Sequence, residues 1–261
     1  RRAHALPYLV VSFPGTAEPW MDAHPHERHR FEKAGRLLAA LRRAGCRDVV
    51  FAGAMDRPHL VPWAFDPAAW RLAARVVPLL ARGDDALLSG LGAVMEREGF
   101  RLRAAQDCLP GLTEGPGVLG RHRPSRADRA DAARAGAILA TLGPEDIAQA
   151  AVVAGGVCLA IEAVEGTDAL LARVAALPEE KRHHAPPPAG VLVKRPKPGQ
   201  DRRVDLPTIG PATVEGARAA GLAGIAVEAH GAILLDRARM VAAADEAGLF
   251  LWSARPAELA G

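Results

Sequence analysis

Short apolar runs typical of buried strands alternate along this chain with stretches whose apolar residues recur at helical spacing. In the first half, Tyr8–Phe13 (YLVVSF) and Asp48–Ala52 (DVVFA) predict strands. Helices are predicted from Phe31 to Gly45 and over Asp66–Arg82, where Asp66 is placed to cap. Because strands that alternate with helices are typical of βαβ units, the pattern predicts an α/β architecture with a parallel sheet.

The second half continues this alternation and adds a hairpin. Two apolar runs, Ala150–Val153 and Cys158–Ala163, flank Gly155-Gly156, a pair that favours a tight turn between strands. The other predicted elements are a helix from Thr167 or Asp168 to Leu177, a mobile surface loop at Pro178–Ala189, strands at Gly190–Lys194, Ile225–Glu228 and Leu249–Trp252, and helices at Pro211–Ala220 and Arg237–Ala247.

The length of the chain, 261 residues, exceeds the roughly 100–200 residues of a typical domain. Since 49% of the residues are hydrophobic, there is enough apolar material for more than one core. A turn-rich stretch at Leu109–Pro116 precedes the segment Gly117–Ser125, where we place the boundary. We therefore predict an N-terminal α/β domain of residues 1–122 and a C-terminal α/β catalytic domain of residues 125–256.

The charge and cysteine content exclude several classes of protein. The net charge is only +3, the arginines are interspersed with acids and aromatic residues are scarce, so we expect no nucleic-acid partner. Three widely spaced cysteines argue against a disulfide framework and indicate a reducing compartment. The longest apolar run, Ala150–Ile161, is shorter than the roughly 20 residues of a membrane span. We expect a cytoplasmic protein.

The densest group of functional-type residues is KRPKPGQDRRVDLPTIGP, Lys194–Pro211. Its prolines and glycines prevent a regular helix, so it is predicted to form a shaped loop between a strand and a helix. Asp201 and Asp205 could bind a hard cation such as Mg²⁺. Three bases could neutralise phosphate oxygens: Lys194, Lys197 and Arg203. The alternative is a solvated charged loop at a domain edge.

A second acidic cluster, Glu162, Glu165 and Asp168, lies in AIEAVEGTDALL. It surrounds a glycine turn and the start of a helix, and free N–H groups at such a start favour phosphate. For Thr167 alone, ordinary helix capping is the better explanation.

Several common catalytic motifs are absent from the sequence. It has no His/Cys zinc spacing, no G-x-S-x-G elbow, no Walker A loop and no G-x-G-x-x-G fingerprint. Two hypotheses remain open on the residues alone. One is metal-assisted hydrolysis at phosphorus, and the other is binding of a phosphorylated ligand without chemistry.

Long segments of the chain resemble the LpxI family. They are AIEAVEGTDALLARV, GVLVKRPKPGQDRRVDLPTIGPATVEGA and GLAGIAVEAHGAILLD in the second half, with RDVVFAGAMDRPHL and GVLGRHRPS in the first. The resemblance implies two α/β domains, the N-terminal one Rossmann-like. It also implies metal-dependent hydrolysis of the pyrophosphate bond of UDP-2,3-diacylglucosamine, with UMP and 2,3-diacylglucosamine 1-phosphate (lipid X) as products, in lipid A biosynthesis.

The same resemblance assigns roles to individual residues. The essential metal-site aspartate of the family corresponds to Asp205 in RVDLP, and the implied cofactor is Mg²⁺ or Mn²⁺. The residues implied are Asp205, Asp201 and Lys197 as catalytic, Lys194, Gln200, Arg203, Thr167 and Thr208 as substrate-binding, and Asp205, Asp168 and Glu165 as metal ligands. A lipid-linked substrate further implies peripheral contact with the inner face of the cytoplasmic membrane.

The sequence departs from the family pattern in three places. The G-x-I-A-G-x-G-x-L-P segment of the first strand and turn is absent, so the first domain is expected to lack that strand. The D-x-G-Q motif is Asp146-Ile147-Ala148-Gln149, and the insert at Pro178–Ala189 is longer than expected. These departures keep a second hypothesis open, a degenerate member that binds a nucleotide-sugar lipid without hydrolysing it.

Overall fold

The computed structural model describes residues 7–53, 60–81, 84–182 and 188–260. By its internal contacts the chain divides into two units. The first comprises Arg1–Leu109 together with Arg203–Asp205, and the second comprises Pro110–Arg202 together with Leu206–Gly261. Helices and strands occur in both units, so the α/β class predicted from the sequence is confirmed.

In the first unit the described strands form two separate parallel pairs. The strands are β1 (Val10–Ser12), which pairs with β2 (His26–Arg28), and β3 (Asp48–Val49), which pairs with β4 (Arg101–Leu102). The helices are α1 (Ala34–Arg43), α2 (Pro67–Val76), α3 (Asp84–Arg97) and α4 (Ala105–Cys108). The sequence predicted β1 and β3, but β2 has no apolar signal, because its sequence HER is entirely polar.

The start and end of α2 both follow from local chemistry. Its first turn is capped by Asp66, whose carboxylate accepts a hydrogen bond from the Ala69 N–H at 2.7 Å. The helix was expected to continue to Arg82, but it ends at Val76, and a 3₁₀ turn follows over Val77–Ala81. Pro78 explains this, because proline has no backbone N–H to donate to the carbonyl four residues earlier and its ring crowds that carbonyl.

The second unit is built on a six-stranded sheet in the order β5-β12-β10-β8-β6-β7, with a two-stranded pair β9-β11 beside it. The strands are β5 (Gly117–Leu119), β6 (Ala150–Ala154), β7 (Val157–Ile161), β8 (Val191–Lys194), β9 (Thr208–Ile209), β10 (Gly224–Glu228), β11 (Ile233–Leu234) and β12 (Phe250–Ala254). The helices are α5 (Arg126–Leu142), α6 (Gly166–Ala175), α7 (Glu179–Arg182), α8 (Pro211–Ala219) and α9 (Arg237–Ala247).

This sheet is mixed, so the prediction of a parallel sheet was wrong for part of it. Strands β8, β10 and β12 are parallel, whereas β6 is antiparallel to both β7 and β8, and β5 is antiparallel to β12. The predicted hairpin accounts for the antiparallel pair β6–β7, and its Gly155 and Gly156 have φ of 55° and 78°. A two-residue turn reverses the chain and therefore cannot join parallel strands.

Helices cover both faces of the sheet. On one face α6, α8 and α9 pack through Leu170, Val214 and Met240, and on the other α5 packs through Ala135 and Leu139. Alternate residues of each central strand point to opposite faces, and both sets are buried. This burial explains why the strands of this unit are continuous apolar runs in the sequence.

Two further expectations can be compared with the structure. Within the predicted loop Pro178–Ala189, Glu179–Arg182 form a short helix, so that part of the prediction was wrong, while residues 183–187 lie outside the described residues. In the part of the chain that the structure describes, no helix combines the length and apolar character needed to cross a bilayer.

Candidate functional site

Several polar side chains lie at one edge of the six-stranded sheet, where β7, β8 and β10 end. Lys194 is the last residue of β8 and Glu228 the last of β10, and Lys194 is paired in register with Val227. Glu162, just after β7, donates its backbone N–H to the carbonyl of Ala150, the residue opposite Lys194 on β6. Carboxyl ends of parallel strands are where α/β sheets commonly bind ligands.

Lys194 is buried, and hydrogen bonds fix its ammonium group. Its Nζ donates to Thr167 Oγ1 at 2.7 Å and to the carbonyl oxygen of Thr208 at 3.0 Å. The Thr167 hydroxyl in turn donates to Glu162 Oε1 at 2.5 Å. A hydroxyl has one proton to give and lone pairs to accept with, so Thr167 serves both neighbours at once. Three predicted substrate-binding residues, Lys194, Thr167 and Thr208, are thus brought together.

The hydroxyl of Thr167 does not cap α6, so the sequence-based expectation of capping was wrong. The N-cap position is Glu165, and Thr167 is the second residue of the helix. Gly166, with φ of 79°, makes the turn that places the hydroxyl toward Glu162 and Lys194. The amino end of α6 therefore lies beside the buried ammonium group.

A second cation, Lys197, is tied to the D-x-x-Q motif. Its Nζ forms an ion pair with Asp146, whose backbone is in the left-handed conformation with φ of 59°. The backbone N–H of Lys197 donates to Gln200 Oε1 at 2.9 Å, and the N–H of Gln200 donates back to the Lys197 carbonyl. The buried Gln200 side chain thus shapes the turn that presents Lys197.

Glu228 is a buried acid that the sequence analysis did not single out. It is 2% exposed. Its Oε2 forms an ion pair with Arg195 at 3.0 Å, and its Oε1 accepts a hydrogen bond from Arg202 at 2.6 Å. Arg195 also donates to the carbonyl oxygens of Gly136 and Leu259 at 3.4 Å. One carboxylate therefore holds two points of the 195–202 loop. The available signal was a single acid at the end of an apolar strand, GIAVE.

The predicted acidic residues differ in their surroundings. Glu165 pairs with Arg173 at 2.8 Å and accepts the N–H of Ala163 at 3.1 Å, so both of its oxygens are engaged. Asp168 is exposed in the first turn of α6, and Asp201 is half-buried.

The remaining predicted residues lie in the segment Arg203–Asp205, which groups with the first unit. Within that unit Arg203 pairs with Glu96 of α3 at 2.7 Å, and Asp205 is half-buried. In the described ranges, with their gaps, no three His, Cys, Asp or Glu side chains are grouped so that they could hold a metal ion. The donor atoms that the predicted ligands offer, Asp205, Asp168 and Glu165, are all carboxylate oxygens, which suit a hard cation such as Mg²⁺ or Mn²⁺.

Both parts of the chain are similar to domains of known proteins. Residues 1–112 match the LpxI N-terminal domain, and residues 115–252 match the LpxI C-terminal domain. A curated protein of Caulobacter vibrioides, named UDP-2,3-diacylglucosamine pyrophosphatase LpxI, is 40% identical over 251 residues, which cover 96% of this chain and 90% of that protein. With both domains matched and a relative this similar along almost its whole length, the chain belongs to the LpxI family.

Proposed function

We propose that this protein is a hydrolase that cleaves the pyrophosphate bond of UDP-2,3-diacylglucosamine and releases UMP and 2,3-diacylglucosamine 1-phosphate, in lipid A biosynthesis. The name of the Caulobacter relative supplies the substrate. The observation that carries the proposal is the buried Lys194 ammonium, held by Thr167 and Thr208 beside the amino end of α6. A fixed cation next to a helix amino end suits a diphosphate group.

The chemistry requires water to attack one phosphorus while the oxygen bridging the two phosphorus atoms leaves with its electrons. Negative charge then accumulates on the departing phosphate. A cation that is already oriented stabilises this charge without reorganising during the reaction. In this proposal Lys194, Gln200, Arg203, Thr167 and Thr208 bind the substrate, and Lys197, Asp201 and Asp205 are catalytic.

A divalent cation, Mg²⁺ or Mn²⁺, is part of the proposal. It would be held by Asp205 with Asp168 and Glu165, and when bound it would polarise a phosphoryl oxygen. Protein sites for Mg²⁺ commonly use one or two carboxylates together with substrate phosphates, so a preformed cage of three acids is not required. Glu165 would have to exchange its ion pair with Arg173 for the metal.

We also propose a cytoplasmic location with peripheral contact at the inner face of the membrane. The substrate joins a nucleotide, which is water-soluble, to two acyl chains, which partition into lipid. An enzyme that cleaves the bond between these parts must reach a lipid surface from the aqueous side. The mildly basic composition, with a net charge of +3, is compatible with an anionic leaflet.

The test is UMP release from UDP-2,3-diacylglucosamine in detergent micelles, with Mg²⁺ or Mn²⁺ and with EDTA. We expect metal-dependent release by the unmodified chain and its near-complete loss in Asp205→Asn. Asp107→Asn, which removes an exposed carboxylate of α4, is the matched control and should leave the rate unchanged. Substrate binding without UMP release under any of these metal conditions would instead support the non-catalytic binder.

A further inference from the structure

Helix α2 presents an apolar stripe on the surface of the first unit. Its inner side packs Leu72 into the core of that unit. Trp70, Ala74 and Val77 follow at four- and three-residue spacing on the exposed side, which is the spacing of one helix face. Trp70 is 56% and Val77 47% exposed, and Trp63, in the turn before the helix, is 88% exposed. Large apolar residues grouped on a surface mark an interaction site.

The charged residues within the segment that carries this stripe all have one sign. The segment 67–83, PAAWRLAARVVPLLARG, contains three arginines and no acid between Asp66 and Asp84. Arg71 and Arg75 are both exposed and flank the apolar stripe, and Arg71 is paired with Glu98 at 2.9 Å. Exposed tryptophan beside arginine is the composition of helices that lie in a membrane interface, where the indole ring prefers the headgroup level.

We propose that Trp63, Trp70, Val77, Arg71 and Arg75, here named the tryptophan face, dock the first unit onto an anionic lipid surface. A peptide groove would need a concave apolar surface with specific polar partners, whereas this face is an exposed apolar stripe beside two cations. An anionic lipid surface offers acyl chains to the apolar side chains and negatively charged headgroups to the arginines. The inference deepens the proposed function, since it names the surface that would bring the protein to a membrane-embedded substrate.

The direct test is binding of the full chain to vesicles of phosphatidylglycerol and phosphatidylcholine, measured by sedimentation. For the double variant Trp63→Ser/Trp70→Ala, the partition coefficient onto these vesicles should fall about tenfold or more, because two exposed indole rings can no longer insert into the interface. The matched control is Trp20→Ala, which removes another exposed tryptophan, 57% exposed, from a segment that contains Glu18 and Asp22. It should bind within about twofold of the unmodified chain.

The charge contribution has its own test. Arg75→Gln should lower partition onto the anionic vesicles by about fivefold and leave binding to pure phosphatidylcholine unchanged. Arg218→Gln, at an exposed position of α8, is the matched control and should have little effect. Raising the salt concentration should reduce the difference between Arg75→Gln and the unmodified chain, since screening weakens the attraction.

Three outcomes would overturn the inference. They are equal partition of the double variant and the unmodified chain, equal binding to neutral and anionic vesicles, and a dimer of the unmodified chain that the double variant dissociates. The last outcome would make the tryptophan face a contact between two copies of the chain.

A parallel assay of hydrolysis in detergent micelles distinguishes failure of this inference from failure of the proposed function. Vesicle binding without hydrolysis contradicts the function alone, and hydrolysis without vesicle binding contradicts the tryptophan face alone.

Discussion

The ammonium nitrogen of Lys194 donates to the hydroxyl of Thr167 across 2.7 Å, which joins the end of β8 to the first turn of α6. The same hydroxyl donates to Glu162 at 2.5 Å, so its orientation is fixed from both sides. A buried ammonium is costly unless such partners satisfy it. We infer that Thr167 is a positioning residue, which sets the direction in which Lys194 can meet a phosphate.

The first prediction concerns the Thr167 hydroxyl. Thr167→Val keeps the shape of the side chain but removes the hydroxyl that accepts from Lys194 and donates to Glu162. We expect kcat for UMP release to fall about tenfold or more, and the unfolding free energy to fall by about 1–3 kcal/mol. Thr167→Ser should restore most of the rate, because it returns the hydroxyl.

The control for this variant is Thr141→Val, at an exposed position of α5 where the hydroxyl donates to the Ala137 carbonyl of its own helix. It should change neither kcat nor stability appreciably. A Thr167→Val protein that is destabilised but turns over at the rate of the unmodified chain would show a purely structural role for Thr167.

The second prediction concerns the charge of Lys194. Lys194→Met retains a long chain that fits the buried position and removes the ammonium group. We expect kcat/KM for UDP-2,3-diacylglucosamine to fall about 100-fold or more, since a preorganised charge near the phosphates is lost. The melting temperature should also fall, because the Thr167 hydroxyl and the Thr208 carbonyl lose the ammonium that donates to them, so kcat/KM is measured well below the melting transition. Unchanged kcat/KM would remove Lys194 from the substrate-binding set.

The third prediction concerns Glu228, whose carboxylate holds Arg195 and Arg202. Glu228→Gln removes the negative charge that pairs with both guanidinium groups, one of them largely buried. We expect a loss of about 2–4 kcal/mol in urea unfolding. Arg202→Ala should cost less than Arg195→Ala, since Arg202 is exposed and solvent can replace its partner.

The matched control for Glu228→Gln is Glu246→Gln, which removes an exposed acid from α9 and should leave the urea midpoint unchanged. If Glu228→Gln unfolded at the same urea concentration as the unmodified protein, the carboxylate would not be what holds the loop.

Local signals account for most of the helices and strands predicted from the sequence. Ser125 and Asp128 form a capping box at the start of α5, and the glycine pair 155–156 makes the predicted hairpin. Such signals act within a few residues, so the sequence displays them directly. Strand β5 is different, because in the described part of the chain it pairs with β12, more than 100 residues later. The predicted first domain of residues 1–122 includes β5, whereas β5 pairs within the second unit.

The candidate site shows the same division between local and distant causes. The loop Lys194–Pro211 stands out by composition, and Lys194 could be singled out from it. The contact of Lys194 with Thr167 could not be predicted from local pattern, because Thr167 precedes Lys194 by 27 residues and has the sequence context of an ordinary helix cap. Only the family resemblance pointed to Thr167. Glu228 was missed for a related reason, since an acid at a strand end gains its meaning only from the two arginines that fold against it.

The fourth prediction concerns acid stability of the first unit, through the buried carboxyl of Glu32. Hydrogen bonds from Arg30, and from the Val61 N–H, hold the pKa of Glu32 below its ordinary value of 4.5. A pKa lower in the folded than in the unfolded chain means that the carboxylate stabilises the fold above pH 4.5, and that this contribution is lost as the pH falls through the folded pKa. Glu32→Gln should therefore lower the urea midpoint at neutral pH and make that midpoint decline less steeply in acid.

The control is Glu18→Gln, which removes an exposed acid of the same unit and should give the same urea midpoint as the unmodified chain at every pH. Parallel acid profiles for Glu32→Gln and the unmodified protein would show that Glu32 does not contribute to the pH dependence of stability.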